Sequence, residues 1–186
     1  MNVKSQYACL NRLAKKNGIV LWGSTSLSNQ PINELLQGFD VSKNIYNRSI
    51  TGLTLEKAEH ELESCVLELM PSRIIINLGE EDVKASADVV RMTEQYRWML
   101  YNIHIALPKC QIVVTTVRGN GDICDIFNEN IKKMAEESGC TFYRIPAVAE
   151  DEYVPVFLST VKLALYDSNL GYSDIATRAV FDLMMQ

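Results

Sequence analysis

The chain has 186 residues, 47% of them hydrophobic and 22% charged, with 9 Gly and 5 Pro. These are the proportions of an ordinary soluble globular protein, and they exclude collagen-like, low-complexity and disordered chains. The formal net charge of −5 comes with no basic stripe, since Lys15-Lys16 and Lys132-Lys133 are isolated pairs; nucleic acid, which needs clustered cations, is not an expected partner.

The length fits one domain, 1–186, better than two. A domain of that size hides roughly 70% of the surface of its unfolded chain and needs neither disulfide nor metal to hold together. The purely apolar runs are short, as in 19–22, 74–76 and 112–114, and none approaches the run of about 18 that a membrane span needs. Cys9, Cys65, Cys110, Cys124 and Cys140 are odd in number and lack C-x-x-C spacing, so they match no zinc or disulfide framework. Residues 1–16 are amphipathic without a continuous apolar centre or a small-residue cleavage site, and read as mature protein. These features together point to the reducing cytoplasm.

In chain order, 18–22 (GIVLW), 43–48 (KNIYNR), 72–78 (SRIIINL), 111–117 (QIVVTTV) and 141–145 (TFYRI) are predicted strands. The third and fourth hold the continuous apolar runs of strands covered on both faces. Between them, 56–69 carries a helical stripe of Ala58, Leu62, Cys65, Val66 and Leu69. Val89, Met92, Tyr96, Met99, Leu100 and Ile103 form a second stripe ahead of Pro108, and 123–134 is a third helix closed by Ser138-Gly139. A last stripe, Ile175, Ala176, Ala179, Val180, Leu183 and Met184, predicts a closing helix. This alternation implies right-handed βαβ units: a three-layer α/β/α sandwich around a five-stranded, mostly parallel sheet.

Ligands of such sheets sit beyond the carboxyl ends of the strands. The segments there are Gly23-Ser24-Thr25-Ser26, Ser49-Ile50-Thr51-Gly52 and Gly79-Glu80-Glu81-Asp82. No G-x-G-x-x-G or Walker pattern follows the first strand, so no nucleotide cofactor is expected, nor any metal.

These three blocks, with Asp167-Ser168-Asn169-Leu170 near the end, resemble the SGNH (GDSL-type) hydrolase family of serine esterases, thioesterases and lipases, in the right order over nearly the whole chain. The resemblance implies a flavodoxin-like sheet and four motifs. The family's Gly-Asp-Ser or Gly-Ser-Ser, with the last Ser as nucleophile, corresponds to Gly23-Ser24-Thr25. Its Asn-Arg-Gly-Ile-Ser-Gly-Asp-Thr corresponds to Asn47-Arg48-Ser49-Ile50-Thr51-Gly52-Leu53-Thr54. Its Gly-x-Asn-Asp corresponds to Gly79-Glu80-Glu81-Asp82, and its Asp-x-x-His to Asp167 through Leu170.

Position by position, the resemblance puts Thr25 at the nucleophile and keeps the Gly52 backbone as an oxyanion donor, with Ser24 and Glu81 beside the substrate. Asp167 keeps the acid. Glu81 stands where the family's second oxyanion donor, an Asn, belongs, and Leu170 stands in place of the histidine. Without that base the hydroxyl is a poor nucleophile. An ionised Glu81 opposes the charge that an oxyanion hole is built to receive. The expectation is a protein of this fold without serine-esterase activity that binds a small ligand or a protein partner in the former cleft. Two alternatives stay open: a working esterase or acylhydrolase of carboxylic or thioester substrates whose base comes from elsewhere, and an assembly role with the cleft filled in. His60, among glutamates, reads as a solvated surface residue, and His104 lies off its helix's apolar stripe. Glu81, Asp82 and Asp167 could line a pocket for a cation, an amine or a polyhydroxylated molecule, or Asp82 and Asp167 could simply brace loops.

Overall fold

In the computed structural model, residues 3–28, 30–39 and 44–165 are described. Asp167, Leu170 and the predicted closing helix lie outside them.

Five parallel strands form one sheet: β1 (Ile19–Gly23), β2 (Ile45–Asn47), β3 (Arg73–Asn77), β4 (Gln111–Thr115) and β5 (Thr141–Tyr143), in the order β2-β1-β3-β4-β5. Every neighbouring pair is parallel, with Leu21 opposite Asn47 and Gly23 opposite Asn77. β1 and β3 are buried at every position, the reason their sequences read as continuous apolar runs rather than alternations.

Each strand sends alternate side chains to opposite faces, and each face has its own core. Val20, Trp22, Ile74, Ile76, Ile112 and Val114 pack on one side, with the helices α4 (Leu55–Cys65), α6 (Val89–Ala106) and α7 (Asp122–Ser138). The helix α1 (Val3–Asn11) packs in turn on α4. Ile19, Leu21, Ile75 and Val113 pack on the other side, with α8 (Tyr153–Thr160) and α9 (Lys162–Leu165). Two one-turn helices, α2 (Thr25–Ser28) and α3 (Ile32–Leu35), follow β1, and the short α5 (Glu80–Lys84) follows β3.

Local chemistry sets the helix ends. The Thr54 hydroxyl accepts from the Lys57 N–H at 3.4 Å to start α4, and the Asp88 carboxylate accepts from the Val90 N–H at 2.9 Å to start α6. The stripe predicted over 56–69 is one helix only as far as Cys65; a 3-10 turn, Leu67–Leu69, finishes it. Sequence patterning predicted neither α5 nor α8. α5 is five residues long, too short to show a period. α8 carries Pro155 in its first turn, where a missing N–H costs nothing.

Candidate active-site cleft

The strand order reverses between β1 and β3: from β1 the chain moves outward to β2, and from β3 it moves the other way to β4 and β5. Such a switch point opens a crevice at the carboxyl ends. The register that sets Gly23 beside Asn77 brings the loops leaving β1 and β3 face to face there. The loop after β2 closes the third side.

Thr25 opens α2, and its Oγ1 accepts from the Gly52 N–H at 2.9 Å. Gly52 stands at φ +71°, a conformation that L side chains rarely adopt. The expected nucleophile and the expected oxyanion donor are thus together, but bonded to each other. Ser24 is buried and donates to the Leu53 carbonyl at 3.1 Å, tying the β1 loop to the β2 loop.

On the opposite wall, Gly79 stands at φ +113°, and a Cβ there would lie 2.4 Å from the Phe127 ring. Only glycine fits, and the turn it makes presents Glu80, Glu81 and Asp82 at the start of α5. The three carboxylates go to different work. Glu81 lies beside the β1 loop that carries Thr25 and Ser24, and its Oε1 lies 3.1 Å from Lys84 Nζ. Partial burial pushes its carboxyl up, but the neighbouring Thr25 hydroxyl, the hydrogen bond and charge of Lys84 and the neighbouring Ser24 outweigh that and hold it below the usual carboxylate range. Glu81 is therefore ionised at neutral pH. Asp82 turns away: Oδ2 accepts from the Leu55 N–H at 3.0 Å and braces the start of α4, with its carboxyl raised, mainly by burial.

Glu80 was not singled out by sequence. It is 1% exposed, accepts from the Ser26 N–H at 3.1 Å and the Ser26 hydroxyl at 2.7 Å, and pairs with Lys84 Nζ at 2.8 Å. A Glu four residues before a Lys is a recognisable helix pairing. That spacing was a signal for α5, though not for Ser26, which lies 54 positions away. Tyr153, at the start of α8, reaches the same end of the sheet and donates to Asn77 Oδ1 at 3.3 Å. Burial raises the pKa of its hydroxyl, and Glu80 adds to the effect.

The chain holds 2 His, and among the described residues neither hydrogen-bonds to Thr25, Ser24 or Ser26. His104 Nδ1 lies 2.9 Å from the Leu100 carbonyl within α6. His60 is exposed on α4, beside an open depression of about 320 Å³ that it shares with Thr51, Gly52 and Lys57. All five cysteines are thiols, and burial pushes Cys65 and Cys110 up to about 12 and Cys140 to about 11. None of these three is a thiolate at neutral pH. Among the described residues, no three His, Cys, Asp or Glu side chains gather as they would around a metal ion, and no helix is long and apolar enough to cross a membrane.

The architecture recurs in solved structures. A GDSL-like lipase from Bacteroides thetaiotaomicron superposes with a TM-score of 0.71 at 15% identity, over 87% of this chain and 96% of the other. The psychrotrophic esterase EstA from Pseudoalteromonas, in a structure inhibited by monoethylphosphonate, gives 0.64 at 13% identity, over 80% and 99%. The acetylxylan esterase Axe2 from Geobacillus stearothermophilus gives 0.61 at 16% identity, over 83% and 99%. No family model matches the chain, and no curated protein matches it in sequence. The chain has the SGNH (GDSL-type) hydrolase fold: a five-stranded parallel sheet between helical layers, of the flavodoxin-like kind.

Proposed function

We propose that this protein, as a single SGNH-type domain of the cytoplasm, does not run the serine-esterase mechanism and uses its former active-site cleft to bind a small ligand or a partner. The observation that carries this reading is the Glu81 carboxylate, ionised and lying beside Thr25 where the fold's esterases hold a neutral donor. Deleting one oxyanion donor costs about 3 kcal/mol of transition-state stabilisation; a carboxylate beside the forming oxyanion adds repulsion. The remaining donor, the Gly52 N–H, is already spent on Thr25. Leu170, at the position of the family's histidine, supplies no base, and neither His60 nor His104 bonds to Thr25. Glu81 has further lone pairs for hydroxyl or amine donors, which suits a polyol or an amine better than an ester.

Purified protein is expected to hydrolyse p-nitrophenyl acetate and butyrate at the background rate, unchanged by Thr25→Ala. Turnover at ordinary esterase rates that Thr25→Ala abolishes would overturn the proposal.

The same proximity favours one second reading, an esterase in which Glu81 is the base. An ordinary carboxylate is already about 2 pKa units less basic than an ordinary imidazole, about 3 kcal/mol in proton affinity, and Glu81 is held lower still. Glu81→Gln separates the two: it abolishes hydrolysis if Glu81 is the base and takes nothing away if no hydrolysis exists.

A further inference from the structure

The two ends of the sheet differ in charge. At the carboxyl end, the segments after β3 and β5 hold Glu80, Glu81, Asp82, Glu150, Asp151 and Glu152. The cations beside them, Lys84 and Arg144, are already in ion pairs. At the amino end, the loops entering β1, β3 and β4 (12–18, 70–72 and 107–110) hold Arg12, Lys15, Lys16 and Lys109 and no Asp or Glu. Backbone hydrogen bonds join these loops side by side. The Asn17 N–H donates to the Met70 carbonyl at 3.1 Å, the Ser72 N–H to the Gly18 carbonyl at 2.9 Å and the Gln111 N–H to the Ser72 carbonyl at 3.0 Å. All four cations are exposed, and Arg12, Lys15 and Lys109 form no ion pair among the described residues. Lys16 Nζ donates to the Glu68 carbonyl, while the Glu68 carboxylate accepts from Asn11 Nδ2 at 2.8 Å. Cations that are scattered in the sequence therefore share one rim of the fold.

The same rim holds apolar side chains out in water. Leu13 is 86% exposed and Met70 61%, and Pro108 is exposed beside Lys109. Met70 stands at φ +45°, a left-handed conformation that is unfavourable for a residue with a Cβ and easier for Gly or Asn. A large apolar side chain is thus kept outside the core against the preference of its own backbone. We propose that this rim docks on the surface of a bilayer that carries anionic lipid, leaving the cleft at the opposite end of the sheet turned toward water. Charge complementarity selects that occupant. The Lys and Arg heads meet lipid phosphates and carboxylates, and Leu13 and Met70 reach the boundary of the acyl chains. A nucleic-acid backbone would meet the cations but leave those apolar side chains uncovered. The acidic carboxyl end is repelled by the same surface, which orients the molecule as it approaches. The basic rim stops short of β5, whose entering loop follows Glu136 and Glu137.

Each cation close to an anionic membrane surface strengthens binding about fivefold, and the apolar side chains add to it by burial. Such attachment is peripheral, reversible and weakened by salt. It is independent of the reading of the cleft, which lies at the carboxyl ends of the strands.

Co-sedimentation of the full chain with vesicles tests it, comparing pure phosphatidylcholine with phosphatidylcholine containing about 30% phosphatidylserine. Binding to the mixed vesicles is expected, at least about tenfold stronger than to the neutral ones and falling as salt rises from about 0.1 to 0.5 M. Lys15→Glu with Lys16→Glu should weaken it at least about tenfold. Lys57→Glu with Arg91→Glu, which changes the net charge equally at the other end of the sheet, should weaken it by about threefold or less. Leu13→Gln with Met70→Asn removes apolar surface without adding charge and keeps a side chain suited to the left-handed turn; it should weaken binding at least about fivefold. All three variants should keep the far-UV spectrum and thermal midpoint of the wild type. A chain that binds neither vesicle at low salt overturns the proposal, even if duplex DNA or heparin retains it, since the occupant would then be a polyanion. Vesicle binding that both charge reversals weaken equally, or that Leu13→Gln with Met70→Asn leaves unchanged, overturns it as well.

Discussion

Glu80 holds the β3 loop against the β1 loop, and removing it should loosen the cleft measurably. Glu80→Ala takes away the acceptor for the Ser26 N–H at 3.1 Å and the Ser26 hydroxyl at 2.7 Å, together with the 2.8 Å ion pair to Lys84. Hydrogen bonds to a charged group contribute about 1.5–3 kcal/mol each, and breaking a fully buried ion pair costs about 3–5 kcal/mol. Lys84 is 51% exposed and returns to water when released, so the ion-pair figure does not apply in full. A loss of about 3 kcal/mol follows, equivalent to a fall of about 6–12 °C in thermal midpoint for a chain of this length. Ser26→Ala, which leaves the backbone bond and the Lys84 pair in place, should lose only about 1 kcal/mol. Urea unfolding of wild type, the two single variants and the double variant closes a cycle, and a coupling of at least about 0.5 kcal/mol is expected between sites in direct contact. A Glu80→Ala variant within about 0.5 kcal/mol of wild type would refute the assignment of Glu80 as the brace of this wall.

Two further outcomes follow from the same wall of the cleft. Gly79→Ala combines the φ of +113° with a Cβ 2.4 Å from the Phe127 ring; overpacking and backbone strain together should cost about 2–5 kcal/mol, read from urea midpoints. The Glu81 carboxyl has its folded-state pKa depressed, so its contribution to stability is fully present above the unfolded value and disappears as pH falls through the folded one. The wild-type urea midpoint should therefore fall more steeply between neutral pH and pH ~3 than that of Glu81→Gln; parallel profiles would show that Glu81 has no preferential partners in the fold.

The strands were legible because Ile19 to Trp22, Ile74 to Ile76 and Ile112 to Val114 are β-branched or bulky apolar runs that only a doubly covered sheet can bury. The stripes on α4, α6 and α7 were legible because each helix is long enough to repeat its period. α8 was not, since Val154, Phe157 and Leu158 are apolar around nearly the whole helix and Pro155 reads as a break. At the cleft, the types and order of Thr25, Gly52 and Glu81 carried the resemblance, and the fold brings all three together. What the sequence left hidden was the division of labour among neighbouring carboxylates. Glu80, Glu81 and Asp82 are consecutive, yet Glu80 binds Ser26, Glu81 pairs with Lys84 beside Thr25, and Asp82 accepts from the Leu55 N–H. A short helix fans consecutive side chains about 100° apart, and only the positions of the facing loops decide which partner each one meets. Asp82 in particular accepts from the Leu55 N–H and braces the start of α4.

The proposed function stands or falls with the Thr25 hydroxyl, which on this reading is not activated as a nucleophile. Incubation with a fluorophosphonate, which captures activated hydroxyls covalently, followed by intact-mass and peptide mass spectrometry, tests it without any assumption about the natural ligand. The expected result is an unmodified chain after exposure that fully labels an active esterase of the same fold. A stoichiometric phosphonyl adduct on Thr25, absent in Thr25→Ala, would contradict it.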